Sequence, residues 1–266
     1  MLFRSKPIYL PQFTSLIGAG RKNTILHLLP GAYFKVGGEG YCNNKNLKGA
    51  FDNEIAGLQI ISEAQGTQAP EMPMVSVLSG QFVRIRNNVF QGSSIGVLID
   101  GGTKFDIRNN IFQQQTQSAL QISGKLTGHF PTSHSVEANL FIKGNNGVVV
   151  ESMESGFVSN NIFDTLTGSG IIFQRFETTG GKSSILTGTN VVRNHFFKTD
   201  GAQIKFAPGY YYNQGVNVFE NKFFNFEGAG RGIEVEPNGI WPAARSLIVT
   251  RNEFWGHQKA PVKISG

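Results

Sequence analysis

The sequence predicts an all-β solenoid, a chain wound into stacked coils, and three observations lead to this prediction. A phrase of the form Val/Ile-x-x-Asn-x-Phe recurs seven times. Its apolar residues alternate with polar ones, which indicates strands and not helices. The shortest interval, from Asn88 to Asn110 and from Asn139 to Asn161, is too short for a repeat of two helices. The seven asparagines are Asn88, Asn110, Asn139, Asn161, Asn194, Asn221 and Asn252.

A second apolar segment follows each asparagine by about ten residues, so each coil contains at least two short strands. Stacked coils would place equivalent strands about 4.8 Å apart in parallel ladders. These segments are Val97-Leu98-Ile99, Leu120-Gln121-Ile122, Val148-Val149-Val150, Ile171-Ile172-Phe173, Ile204-Lys205-Phe206, Ile233-Glu234-Val235 and Val262-Lys263-Ile264.

The recurring Asn, Phe and Val/Ile together resemble the right-handed parallel β-helix of pectate lyases, polygalacturonases and phage tailspikes, from Val83 to Ile264. The resemblance implies a single-stranded, right-handed parallel β-helix of about eight to nine coils. It also implies an internal ladder of stacked Asn amides beside a stacked Phe column. We expect one domain over residues 1–266, less regular over 1–80 and regular over 81–266.

The N-terminal part fits the same scheme less closely. Strands are expected near residues 8–10, 15–17 and 24–28, which would form the first coil. A degenerate coil follows, in which Asn53-Glu54-Ile55 would replace Asn-x-Phe and Leu58-Gln59-Ile60 would form the second strand. No capping helix precedes the first coil in this sequence, so another chain or domain would have to cover its core.

Composition narrows the classes of function. The formal net charge is +6, but no run of Lys or Arg marks a nucleic-acid arm, so no nucleic-acid partner is expected. The single cysteine, Cys42, excludes an internal disulfide. The first residues lack the apolar stretch of a signal peptide, and no run is long enough to span a bilayer. Three explanations stay open: export by another route, release through virion assembly, and a chain cut from a longer one.

Unequal intervals between the asparagines predict where a ligand would bind. The extra residues fall between the second strand and the next Val/Ile, roughly at 124–134, 175–189, 207–215 and 237–246. Insertions at one corner of a solenoid emerge on one side. Their aromatic residues suit stacking on sugar rings, and their basic residues favour an acidic polysaccharide. The predicted carbohydrate-binding residues are Tyr211, Trp241, Arg175, Lys182 and Lys205.

The middle residues of the second strands should face outwards. Leu98, Val149 and Ile172 are apolar, so we expect another subunit or the corner loops to cover them. Lys205, Glu234 and Lys263 should form a cross-strand ladder of charges.

Two carboxylates lie just beyond these strands and are the catalytic candidates, Asp100 and Glu151. They are two coils apart, which corresponds to roughly 10 Å. This separation is near that of the two carboxylates in inverting glycosidases.

On the strand before the asparagine, Arg84 can pair with Asp106 in the next coil. Arg86 and Arg108 should stack as like charges. Either an anionic ligand or partner relieves their repulsion, or the surface is simply solvated.

The sequence lacks the motifs of the enzymes it resembles. It has neither the Asn-Thr-Asp, Asp-Asp, His-Gly and Arg-Ile-Lys set of polygalacturonases nor the Asp-Pro-His-Asp of alginate epimerases. No acidic cluster suggests a calcium site, so neither a cofactor nor a metal is expected. These absences favour a tailspike-like or other virion structural protein.

Such a protein would be homotrimeric and located on a virion or outside the cell. Its partners would be host surface polysaccharide and other virion or tail proteins, with no membrane insertion. The alternatives are a polysaccharide lyase or glycoside hydrolase acting on an acidic polysaccharide, and a scaffold without a ligand.

Overall fold

The computed structural model describes residues 2–3, 7–37, 49–63, 72–127, 131–175, 185–207, 212–236 and 246–264. Among these residues the chain forms strands and turns and no helix, so none of them forms an apolar helix of membrane-spanning length. The strands assemble into three long parallel sheets and one small sheet.

The three long sheets are named here in the order in which one coil passes through them. Sheet I consists of β2 (Ile8–Leu10), β5 (Phe34–Val36), β8 (Pro73–Gln81), β11 (Ile95–Thr103), β14 (Ser118–Ser123), β17 (Asn146–Val150), β21 (Ile171–Phe173), β25 (Ile204–Phe206), β29 (Ile233–Val235) and β32 (Val262–Ile264). Sheet II consists of β3 (Ser15–Ile17), β6 (Glu54–Ala56), β9 (Arg84–Arg86), β12 (Asp106–Arg108), β15 (Ser135–Glu137), β19 (Phe157–Ser159), β23 (Asn190–Val192), β27 (Val216–Phe219) and β30 (Leu247–Thr250).

Sheet III holds the Phe column. It consists of β1 (Leu2–Phe3), β4 (Ile25–Leu28), β7 (Gln59–Ser62), β10 (Val89–Gln91), β13 (Ile111–Gln113), β16 (Leu140–Ile142), β20 (Ile162–Asp164), β24 (His195–Phe196), β28 (Lys222–Phe224) and β31 (Glu253–Trp255). The small sheet consists of β18 (Met153–Glu154), β22 (Ile185–Thr187) and β26 (Tyr212–Gln214).

Every pairing between neighbouring coils is parallel, and the described strands form nine complete coils, each with one strand in each long sheet. The predicted all-β fold, a single-stranded right-handed parallel β-helix, is therefore confirmed. Each coil contributes three strands, one more than the minimum expected from the sequence. The predicted strands of the first coil are also present, as β2, β3 and β4.

The seven repeated asparagines form the internal ladder that the sequence predicts. Each side-chain amide from Asn88 to Asn221 donates a hydrogen bond of 3.0–3.1 Å to the Oδ1 of the next ladder Asn. The backbone N–H of each also donates to that same oxygen, as from Asn110 to Asn139 at 3.0 Å. These amides can be buried at little cost in free energy because nearly all their polar groups form hydrogen bonds.

The Phe column is stacked beside the ladder, as predicted. Successive rings lie 4.7–5.1 Å apart with interplanar angles of 5–13°. Six of the seven rings are fully buried. The stacked rings are Phe90, Phe112, Phe141, Phe163, Phe196, Phe223 and Phe254.

The turn between sheet II and sheet III has one tight form. In all coils but the first it contains two residues, and the second of these occupies the ladder position. The first has a left-handed backbone, with φ of 57° at Asn109 and 53° at Ala138. Asparagine tolerates this conformation better than most residues, which explains why Asn-Asn pairs recur there.

The expected register of the degenerate coil is wrong. Glu54 and Ile55 lie in sheet II, and Leu58, not Asn53, occupies the ladder position, where its N–H donates to Asn88 Oδ1 at 3.1 Å. Ile60 pairs with Phe90 and takes the place of the stacked ring. The true repeat is therefore Ile55-x-x-Leu58-x-Ile60, which buries the same positions with apolar residues in place of Asn and Phe.

Candidate functional site

The corner between sheet I and sheet II carries the longest excursions of the chain. The intervals between consecutive long-sheet strands at this corner include residues 37–53, 124–134, 174–189, 207–215 and 236–246, whereas the turn from sheet II to sheet III is uniformly short after the first coil. The small sheet also forms at this corner. The turn from sheet III to sheet I lengthens as well, for example to residues 225–232. The insertions are therefore concentrated at the predicted corner but are not confined to it.

Asp100 binds a turn of this corner. Its carboxylate accepts hydrogen bonds from the backbone N–H groups of Leu126 and Thr127 and from the Thr127 hydroxyl, at 2.8–3.1 Å. The side chain is buried, with 1% of its surface exposed. A carboxylate with this many donors holds the turn in place.

Glu151 lies in the same row, two coils further on. Asp100 pairs with Ser123, and Glu151 follows Val150, which pairs with Ile122, so the predicted spacing of about 10 Å matches the register. Gln174 donates to Glu151 Oε1 at 3.4 Å. The other oxygen, Oε2, is buried and has no hydrogen-bond partner in the described part of the chain. The catalytic role of Asp100 and Glu151 stays a prediction.

Two of the five predicted carbohydrate-binding residues lie within the described ranges. Lys205 is half-buried, and its ammonium lies 2.9 Å from the Glu236 carboxylate. Arg175 is half-buried just beyond β21. Lys182, Tyr211 and Trp241 lie outside the described residues, so the predicted grouping of the five stays a prediction.

The outward column of sheet I is partly covered within a single chain. Leu98 and Ile172 are half-buried, and Val149 is only 6% exposed. A second subunit is therefore not needed to cover Val149. Of the predicted charge ladder, Lys263 pairs with Glu234 at 3.0 Å, but Lys205 pairs with Glu236 instead.

The arginines on the outer face of sheet II form ion pairs with carboxylates of the same chain. Arg84 pairs with Asp52 at 2.7 Å, and Arg86 pairs with Glu54 at 2.6 Å, so Arg84 does not form the pair with Asp106 that the sequence allows. Asp106 instead binds Arg108 at 2.6 Å, and this hydrogen bond raises the pKa of Arg108. These pairs relieve the stacked like charges without an anionic ligand.

One surface feature was missed by the sequence reasoning. The residue between Asn and Phe in the repeat points outwards from sheet III, and in four consecutive coils it is aliphatic. The signal is visible in the sequence as Val89, Ile111, Leu140 and Ile162. Within the described ranges no three His, Cys, Asp or Glu side chains come together as metal ligands.

These features define a parallel β-helix that carries its largest loops at one corner. The family model described as right handed beta helix region matches residues 74–266, and the chain therefore belongs to that family. No curated protein sequence matches the chain.

Solved structures with similar folds include the surface adhesin PfbA of Streptococcus pneumoniae (11% identity, TM-score 0.48, covering 96% of this chain and 83% of the adhesin). They also include the catalytic unit of a GH87 α-1,3-glucanase from Streptomyces thermodiastaticus (12%, 0.49, 95% and 61%). A third is ORF18 of Geobacillus virus E2 (13%, 0.39, 97% and 51%). The chain thus spans only part of the glucanase unit and about half of the viral protein.

Proposed function

We propose that the protein is an extracellular or virion-associated β-helix that binds surface polysaccharide along the loop-bearing side of sheet I. One observation carries the proposal: the largest excursions leave the coils at one corner, beside a rigid sheet. Loops presented by a stacked β-scaffold are a common way to build a binding site without altering the core. A binding wall several coils long suits a polymeric ligand.

Basic side chains at this corner favour an acidic polysaccharide. Arg175 and Lys205 lie there, and Lys182, Tyr211 and Trp241 are proposed to complete the site. Because Lys205 is held by Glu236, it must exchange that partner to bind an anion. Partly exposed contacts of this kind contribute about 1 kcal/mol each.

Because the affinity of a single site is expected to be weak, an oligomer would bind the polysaccharide more tightly than one chain. A homotrimer would present three loop-bearing sides to the same polysaccharide and would gain affinity through multivalency. Attachment to other virion or tail proteins is proposed with it, in the manner of a tailspike-like structural protein.

A second candidate function is hydrolysis or lysis of the bound polysaccharide, and Glu151 favours it. A buried carboxylate oxygen without a hydrogen-bond partner is uncommon, and a catalytic role is one explanation for such a group. Asp100 would be the partner carboxylate at about 10 Å, although its oxygens are occupied by the turn at 126–127.

Affinity electrophoresis through gels containing polygalacturonate or alginate tests the binding. Replacing Tyr211 and Trp241 by Ala should reduce the retardation, and the matched variant with Phe226→Ala and Trp255→Ala should not. Phe226 and Trp255 are also exposed aromatic residues, but Phe226 lies in the turn from sheet III to sheet I and Trp255 lies in sheet III. Equal retardation of both variants would contradict the site. Release of reducing ends by the unaltered protein, lost in Glu151→Gln, would establish the second candidate.

A further inference from the structure

The outer face of sheet III contains an open groove of about 420 Å³ where the chain turns from sheet II. Its floor is formed by Ile111, Leu140 and Ile162, which pair in register on three consecutive coils. Ile111 and Leu140 are half-buried and Ile162 is 40% exposed. A continuous aliphatic strip that stays open to solvent indicates an interaction surface.

Side-chain amides border this aliphatic floor. On the turn side, exposed Asn109 and Asn160 line the groove. On the other side, Gln113 lies beside Ile111, and Ile142 and Asp164 lie in register with it beside Leu140 and Ile162. Each amide offers both donors and an acceptor. Arg21, from the turn of the first coil, adds one positive charge to the lining.

Ala138 opens the groove between the two asparagines. The residue before each ladder Asn has a left-handed backbone, and alanine is the smallest side chain in that column. These residues are Asn87, Asn109, Ala138, Asn160, Arg193, Glu220 and Arg251. Asparagine is tolerated in this conformation better than alanine, so backbone preference does not explain Ala138. Its small size leaves space that a longer side chain would fill.

We propose that this groove binds a short segment of an acidic polysaccharide running along the axis of the coils. The C–H faces of the sugar rings would pack on Ile111, Leu140 and Ile162. Their hydroxyls would bond to the amides of Asn109 and Asn160, and a carboxylate would pair with Arg21. The site is separate from the loop-bearing corner, and it does not depend on the proposed function of that corner.

A sugar fits this surface better than a protein segment does. The strands that form the groove are paired on both sides within sheet III, so a peptide strand has no free edge to join there. An aliphatic floor of three residues is also far smaller than the roughly 800 Å² per partner of a stable protein interface. An apolar floor with amide borders matches the amphipathic surface of a sugar ring.

Filling the space at residue 138 tests the proposal. Ala138→Asn adds a side chain that suits the left-handed backbone, and Ala138→Gly keeps both the backbone freedom and the open space. The probes are a fluorescent oligogalacturonide, which is acidic, and a malto-oligosaccharide, which is neutral. We expect Ala138→Asn to weaken oligogalacturonide binding about tenfold, or 1.4 kcal/mol. Ala138→Gly should bind like the unaltered protein, with both melting temperatures preserved.

The variant Arg21→Gln tests the contribution of the positive charge to binding separately from that of the aliphatic floor. It should weaken the oligogalacturonide complex and leave binding of the malto-oligosaccharide unchanged. The proposal is overturned if the unaltered protein binds neither probe or if Ala138→Asn and Ala138→Gly bind alike. It is also overturned if light scattering shows that Ala138→Asn dissociates an oligomer, because a second copy of the chain would then occupy the groove.

The corner variants distinguish this groove from the loop-bearing site. If the Tyr211→Ala and Trp241→Ala variant loses all oligogalacturonide binding while Ala138→Asn loses none, the groove is wrong and the proposed function stands. The reverse result assigns binding to the groove and contradicts the corner.

Discussion

The outer faces of sheet I and sheet III both carry a column of aliphatic side chains, but single members of the two columns differ in their exposure. On sheet I, Val149 is almost fully covered within the single chain, whereas on sheet III Ile162 remains 40% exposed. The turns that border the two sheets also differ. Long excursions leave the coils between sheet I and sheet II, while the turn from sheet II to sheet III contains two residues in every coil after the first. An outward apolar residue in a β-helix is therefore interpretable only together with the turn beside it.

The largest expected effect is a difference in stability between a lysine substitution on sheet I and one on sheet III. Replacing Val149 by Lys places a charge beneath the cover of sheet I, and we expect it to reduce the free energy of unfolding by about 3 kcal/mol. Ile162→Lys, on the open face, should cost less than about 1 kcal/mol, because its ammonium reaches water. Urea unfolding of both variants measures the difference. Equal losses would mean that both faces are covered or both are open.

The next effect concerns the amide ladder that fixes the turn beside sheet III. Asn110→Leu removes the Oδ1 that accepts from Asn88 and the amide that donates to Ile85 and Asn139. We expect a loss of about 2–3 kcal/mol in thermal or urea unfolding, because these buried groups lose their partners. Asn109→Gly, at the exposed left-handed position, should change stability by less than about 1 kcal/mol. An unchanged melting temperature in Asn110→Leu would contradict the role of the ladder.

A pH dependence is expected from the covered corner between sheets I and II. Burial lowers the pKa of His134 to about 3, and its Nδ1 accepts the backbone N–H of Phe105 at 3.2 Å. The unfolded chain therefore binds the proton first as pH falls, so stability present above about pH 6.5 is lost progressively toward pH 3.

The loss between pH 6.5 and pH 5 should be about 2 kcal/mol. His134→Asn keeps an acceptor for Phe105 but cannot be protonated, so urea unfolding of this variant should depend less steeply on pH. Parallel pH profiles for the two proteins would show that His134 does not contribute.

The smallest effect concerns the turn that the Asp100 carboxylate holds beside sheet I. Asp100→Asn exchanges one acceptor oxygen for an NH₂ group, which should cost about 1 kcal/mol and loosen the turn at 125–127. Trypsin should then cleave after the exposed Lys125 more rapidly, while Asp164→Asn, on sheet III, should leave the rate unchanged. Loss of polysaccharide degradation without faster cleavage would instead support a catalytic role for Asp100.

The sequence by itself determined the internal structure of each coil. The Val/Ile-x-x-Asn-x-Phe repeat specified the ladder, the ring stack and the parallel register, because each position has one environment that is repeated at every level of the solenoid. The concentration of insertions at one corner was also evident from the intervals. Even the degenerate coil obeyed the repeat once Leu58 and Ile60 are placed at the Asn and Phe positions.

Only the tertiary structure decided how the surface groups are partnered. The pairing of Arg84 with Asp52 and of Lys205 with Glu236, and the binding of Asp100 to a turn of the next coil, depend on side-chain reach between coils. The covering of Val149 and the exposure of Ile162 are likewise seen only in the folded chain. Repeat patterns specify the interior because burial there is uniform, whereas the outside depends on contacts between non-equivalent residues, which no repeat encodes.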